Sequence, residues 1–168
     1  MGFVARKGAN TMESSTVGPI RVYADTSVFG GVFDVGFAPS SALFFDQVRS
    51  GRFRLVISTV LEDELARAPD VVRVLLDSVR QFAEPAMVEP EAMRLRDAYI
   101  AAGILTRKWE ADALHVAIAT VAECRIIVSW NFKHIVHFDK ISLYNGVNLS
   151  LGLGEIKIHA PPEVVHED

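Results

Sequence analysis

Arg21-Val22-Tyr23-Ala24-Asp25-Thr26-Ser27 is the stretch whose reading decides the fold. Ile20, Val22 and Ala24 alternate with Arg21, Tyr23 and Asp25, which is the period of a strand. A turn is expected at once after it, through Thr26, Ser27, Gly30 and Gly31. In an open parallel α/β sheet, ligands bind just outside the carboxyl ends of the strands. A carboxylate there is a candidate metal ligand or nucleophile. An Asp before a helical turn is also a favoured N-cap, so two readings of Asp25 stand side by side.

Working outward, Ser40 or Ser41 opens an expected helix through Leu43, Phe44, Phe45 and Val48, closed by Ser50-Gly51. Phe53 to Ser58 reads as a second strand. Thr59-Val60-Leu61-Glu62 then has the pattern of a capping box, with Thr59 as N-cap. At 100° per residue, Val60, Leu61, Leu65 and Ala68 share one apolar face. Glu62 and Asp63 fall outside that face and Glu64 falls within it. An inward carboxylate is expensive unless it is paired or binds a cation, which makes Glu64 a candidate. Asp70 is expected to cap the next helix, through Val71, Val74, Leu75, Val79 and Phe82. A short third strand is expected at Ala86-Met87-Val88, and a helix from Glu91 to Ala102.

Trp109 to Glu123 has the strongest helical pattern, apolar nearly all round and therefore buried. Its polar exceptions, Asp112 and His115, share a face at i, i+3 spacing. Glu110 can serve the helix dipole, which leaves Asp112 as a functional candidate. His115 reads as a satisfied core histidine. Arg125 to Ser129 is the fourth strand, ending in the polar Ser129-Trp130-Asn131. His134 and His137 lack a third zinc ligand at a suitable spacing. A last strand is expected over Glu155 to His159, ended by Pro161-Pro162.

Strands alternating with helices indicate an α/β fold with a mainly parallel sheet. On that architecture Asp25, Glu64, Asp112 and Asn131 converge on one edge. Three carboxylates and an amide oxygen form a hard oxygen cage suited to Mg²⁺ or Mn²⁺, and like charges so placed repel without a cation. Such clusters support metal-assisted phosphodiester hydrolysis.

At 168 residues the chain is one domain. Half of it is apolar, which excludes a disordered chain. The net charge of −4 argues against a surface that grips nucleic acid everywhere, and leaves room for a local basic rim around an acidic cleft. A single cysteine, Cys124, excludes an internal disulfide and suits a reducing cytoplasm. No apolar run is long enough to span a bilayer, so no membrane association is expected. Residues 1–18 are polar and small and read as a disordered leader, with Met12 standing as an alternative start to Met1.

Four pieces together resemble the PIN domain family, the nuclease fold of the toxin half of many VapBC toxin–antitoxin pairs. They are Ala24-Asp25-Thr26-Ser27, Glu64-Leu65, Asp112 to Ala119, and Val128-Ser129-Trp130-Asn131-Phe132-Lys133-His134. The resemblance covers about residues 20–165, and the domain is taken as 19–165. It implies a three-layer domain and a metal-dependent ribonuclease, with Asp25, Glu64 and Asp112 in the places of the acidic ligands. It also implies an RNA substrate, an antitoxin protein covering the cleft, and self-association as a homodimer. Where the family often carries a fourth Asp, this chain offers Asn131 or His134. Lys108, Lys133 and Arg107 are candidate phosphate contacts. Two other readings compete. One is an aspartyl-phosphate phosphatase of the haloacid dehalogenase type, although Ser27 stands where a second acid is usual. The other is a PIN-like module that binds protein and does no chemistry.

Overall fold

The computed structural model describes residues 18–167; the expected leader lies outside them except for Gly18. The strands are β1 (Ile20–Ala24), β2 (Phe53–Ser58), β3 (Ala83–Ala86), β4 (Ile126–Val128) and β5 (Lys157–His159). All pair in parallel, in the order β3-β2-β1-β4-β5. The helices are α1 (Thr26–Gly31), α2 (Ala38–Arg49), α3 (Thr59–Leu65), α4 (Asp70–Val79), α5 (Pro90–Ala101), α6 (Glu110–Val121) and α7 (Phe138–Ser150). The expected α/β class with a central parallel sheet is what the chain adopts.

The period-two alternation of the strands divides the core. Val22, Ala24, Leu55, Ile57, Ile126 and Val128 face α1 to α4, packing with Phe29, Phe44, Phe45, Leu61 and Leu76. Tyr23, Val56, Ile127 and Ile158 face α5, α6 and α7, packing with Leu95, Tyr99, Val116 and Tyr144. Both faces of the sheet are covered, which makes three layers and explains why the central strands read as nearly continuous apolar runs. Each fully buried large side chain contributes about 1.5–3 kcal/mol.

Several local expectations are corrected. The stretch after β1 is a helix, not an open turn, with Asp25 as its N-cap. Helix α3 is capped by Ser58, whose hydroxyl accepts from the Leu61 amide, so Thr59 is its first residue and Glu62 closes no capping box. Glu62 pairs with Arg80 instead. Asp70 is likewise the first residue of α4, with Pro69 at the cap. That helix buries Val72, Leu75, Leu76 and Val79, leaving Val71 and Val74 exposed. The third strand starts three residues, and ends two residues, earlier than expected. Helix α7 was not expected, because its apolar residues do not gather on one face: Phe138, Leu143 and Leu149 are exposed and only Tyr144 and Asn148 are buried.

The chain runs from β1 outward to β2 and β3, then crosses back to β4 and β5 on the other side of β1. The strand order therefore reverses between β1 and β4. In open parallel sheets this switch point opens a crevice at the carboxyl ends of the strands. Asp25 follows β1 and Ser129 follows β4, so the topology brings these two loops together.

Candidate active site

Asp25 is 4% exposed. Its carboxylate is held by neutral donors from both sides of the switch point. It accepts from the Ser27 amide at 3.2 Å and hydroxyl at 2.5 Å, and from the Ser129 hydroxyl at 2.6 Å. Each hydroxyl also accepts a backbone amide, Trp130 on Ser27 at 2.8 Å and Asn131 on Ser129 at 2.9 Å. The two serines thus relay backbone dipoles to the carboxylate, and chained hydrogen bonds of this kind strengthen one another. Burial nevertheless wins: it raises the Asp25 pKa, the Ser129 and Ser27 hydrogen bonds only partly oppose it, and the nearby Asp112 adds to the rise. Both readings of Asp25 hold geometrically, since it caps α1 and also sits buried at the strand end. The roles of Ser27 and Ser129 were not foreseen, although both stand at strand ends beside quoted candidates.

Glu64 is held differently. Both its oxygens lie 3.0 Å from His115 Nε2, and its side chain is 34% exposed. His115 Nδ1 lies 2.7 Å from the Tyr23 hydroxyl, which lies 2.9 Å from the Ser58 hydroxyl. The chain of contacts runs from the cap of α3 across the sheet to the candidate carboxylate. Burial acts to lower the His115 pKa, but the Glu64 hydrogen bond and charge, with Asp25 and Asp112, outweigh it and the net direction is up. Burial also keeps the Tyr23 hydroxyl protonated, far above its ordinary range. His115 is the satisfied core histidine expected, and in addition the partner that turns Glu64.

Asp112 lies in the first turn of α6 and is half-buried. It acts electrostatically on Asp25, His115 and His134, and it takes part in none of the ion pairs among the described residues. Asn131 turns its amide oxygen to the His134 backbone amide at 2.9 Å, which shapes the loop after β4. That loop is fixed by Trp130, whose indole donates to Ser41 at 2.8 Å over Gly31. A Cβ at Gly31 would stand 2.6 Å from the Ser41 hydroxyl, so glycine is needed there.

Asp25 and Asp112 are thus brought within electrostatic reach of each other, with Glu64 engaged by His115 and Asn131 by its own loop. Among the described residues no three His, Cys, Asp or Glu side chains are grouped so as to hold a metal ion. The donor chemistry suits a hard cation, being carboxylate oxygens on Asp25 and Asp112 that make no ion pair among the described residues. A groove of about 660 Å³ lies elsewhere, between α7 and β5, and none of the four candidates lines it.

No family model matches the sequence, and no curated protein does. Eleven chains of solved structures match the fold. One comes from VapBC2 of Rickettsia felis, bound to a DNA fragment from the promoter, with a TM-score of 0.54 and 12% identity over 84% of this chain and 98% of that one. The similarity is one of fold: a three-layer, PIN-like α/β domain.

Proposed function

We propose that the chain is a metal-dependent ribonuclease that hydrolyses RNA phosphodiester bonds and acts as the toxin of a toxin–antitoxin pair. The observation that carries this reading is the buried Asp25 carboxylate at the switch point of the sheet, held by neutral donors, with the half-buried Asp112 within electrostatic reach. Carboxylates that repel each other in a partly buried site are costly in the folded state and useful when a divalent ion binds. Asp25, Asp112 and, once released from His115, Glu64 would hold Mg²⁺ or Mn²⁺, with Asn131 at the rim. The ion, when bound, supplies an activated water and stabilises charge growing on phosphate. Ser27 and Ser129 orient Asp25, and His115 sets the position of Glu64.

The fold shared with a chain of VapBC2 supports the toxin reading and, with it, an antitoxin protein as partner. Phe33, Val71 and Val74 are exposed along one apolar groove, which supports a covering protein or a second copy in a homodimer. Among the described residues no helix is long and apolar enough to cross a membrane, and a cytoplasmic setting remains part of the proposal. The test is RNA cleavage with Mg²⁺ or Mn²⁺, against EDTA and Asp25→Asn controls. Cleavage that survives both controls overturns the reading.

A second reading has an observation of its own. Glu64 is occupied by His115 and Asn131 by His134, which favours a PIN-like protein-binding module with weak metal affinity. Failure of cleavage together with weak Mn²⁺ binding selects it. The phosphatase alternative gains no such support: Ser27, in the second acid's place, serves as a donor to Asp25.

A further inference from the structure

The chain is acidic overall, yet three of its five lysines, Lys108, Lys133 and Lys140, stand around one pair of rings beside Asp112. Trp109 stacks on His134 with centroids 4.4 Å apart. The Lys108 and Lys133 ammonium groups lie 4.9 and 5.2 Å from the Trp109 ring centre. Among the described residues every ion pair is made by an arginine or a histidine, and none by a lysine. Arg107, the neighbouring cation, is tied to Asp97 and Glu110. Two exposed ammonium groups are therefore gathered on one indole, neither of them ion-paired among the described residues, an arrangement that repels itself and suits an incoming anion.

Two further features narrow the ligand. His134 is 7% exposed, and both its ring nitrogens are buried without a hydrogen-bond partner among the described residues. The ring packs against Trp109 at a 36° tilt, and a buried imidazole without a partner calls for an explanation beyond packing. Next to Lys133, Phe132 is 51% exposed, with its ring edge-on to Trp130 at 6.1 Å. An exposed aromatic ring beside free ammonium groups is the pattern that stacks an unpaired base while the cations follow the backbone.

We propose that Lys108 and Lys133, held by Trp109, bind the phosphates of a single-stranded polynucleotide while Phe132 stacks one of its bases, laying the strand across Asp112. This subsite rests on the nuclease reading above for its purpose, and on its own residues for its binding. RNA and single-stranded DNA share the chemistry it recognises.

The test measures binding in EDTA, where metal-dependent cleavage is silent, using fluorescence anisotropy with a short labelled RNA, the same sequence as single-stranded DNA, and an RNA duplex across a salt series. Wild type binds the single strands more tightly than the duplex; a preference between the two strands assigns the source. Lys108→Gln with Lys133→Gln flattens the slope of log affinity against log salt by about 0.7 per lysine lost. Phe132→Ala weakens binding about tenfold with the slope unchanged, because stacking releases no counterions; Phe132→Leu repeats the measurement with the bulk kept. Circular dichroism melts check that each variant is folded. Unchanged slope and affinity in the double lysine variant, or equal binding of duplex, overturns the subsite even if wild type cleaves RNA with Mn²⁺. Retained lysine-dependent binding in a chain that never cleaves sinks the nuclease reading and leaves the subsite standing.

Discussion

Asp25 and Glu64 stand beyond the carboxyl ends of neighbouring strands, and the chain holds them by opposite means. Asp25 is buried among hydroxyl and amide donors, none of which can take up its charge. Glu64 is partly open to solvent and rests against an imidazole that can. Neutral donors orient a carboxylate while leaving its charge to be met by something else, and burial makes that charge costly. A histidine meets the charge within the protein and so competes with any cation for it. The two carboxylates of the candidate site thus differ in what meets their charge: neutral donors at Asp25, an imidazole at Glu64.

The largest expected effect breaks the Asp25 side. Asp25→Asn and Asp112→Asn should each lower metal-dependent RNA cleavage by on the order of a hundredfold or more, since a bound metal ion supplies several kcal/mol. Asp25→Asn should also raise the melting temperature in EDTA, because a buried carboxylate becomes a neutral amide of the same shape. Glu62→Gln, which loses only a surface pair with Arg80, should leave cleavage unchanged. Loss of cleavage in Glu62→Gln with retention in Asp25→Asn would place the chemistry elsewhere.

The next effect breaks the Glu64 side. His115→Leu removes the partner of both Tyr23 and Glu64, and should destabilise the chain by about 2–3 kcal/mol, read as a lower denaturant midpoint. It should tighten Mn²⁺ binding by freeing Glu64. The wild-type pH dependence follows from the direction of the His115 shift. Burial opposes it, but Glu64 and the other acids raise the folded value above the ordinary 6.5, so the native state holds the proton more tightly than the unfolded chain. The pair's contribution is fully present below about 6.5 and is lost as pH rises through the raised native value. Melting temperature in EDTA should therefore fall across that window, while Mn²⁺ affinity rises. His115→Gln should flatten both trends. A flat wild-type melting profile there would show that the imidazole does not carry Glu64's charge.

A smaller effect sharpens the comparison. Ser129→Ala deletes a neutral donor to a charged group and leaves the Asn131 amide without its acceptor, for about 1.5–2 kcal/mol. Because the Ser129 hydrogen bond opposes the burial of Asp25, the Asp25 pKa should rise further, moving the acid limb of the cleavage pH profile to higher pH. An unmoved limb would mean that Asp25 titrates independently of its donors.

Much of this architecture was legible in the residues. The alternation of Ile20 to Ala24 marks a strand by its period of two, and the branched run Phe53 to Ser58 marks one buried on both faces. Glu64 was separated from Glu62 and Asp63 by helical phase, and the structure keeps Asp63 exposed while turning Glu64 to His115. What did not show was long-range. Ser58 instead of Thr59 caps α3, a one-residue difference that local pattern does not resolve. The Tyr23–His115–Glu64 relay joins residues up to 92 positions apart, and only the topology brings them together. Helix α7 escaped because it packs with few buried side chains, giving a weak periodic signal.

The smallest effect concerns Asn131, at the boundary between the two sides. Its amide oxygen accepts from the His134 amide, so it has a structural task in the loop after β4, as Asn readily does. A carboxylate can accept the same hydrogen bond, so Asn131→Asp should preserve the loop. The substitution adds a negative charge near Asp25 and Asp112. In the metal-free chain this increases repulsion and should lower the melting temperature in EDTA. With Mn²⁺ present, attraction to a doubly charged ion exceeds repulsion from single charges at similar range, and binding should tighten by about 1 kcal/mol in a partly solvated site. Isothermal titration of both proteins with Mn²⁺ reads this as roughly a fivefold gain. If affinity is unchanged while the melting temperature holds, the residue only shapes its loop, and the ion, if it binds, is held on the Asp25 side alone.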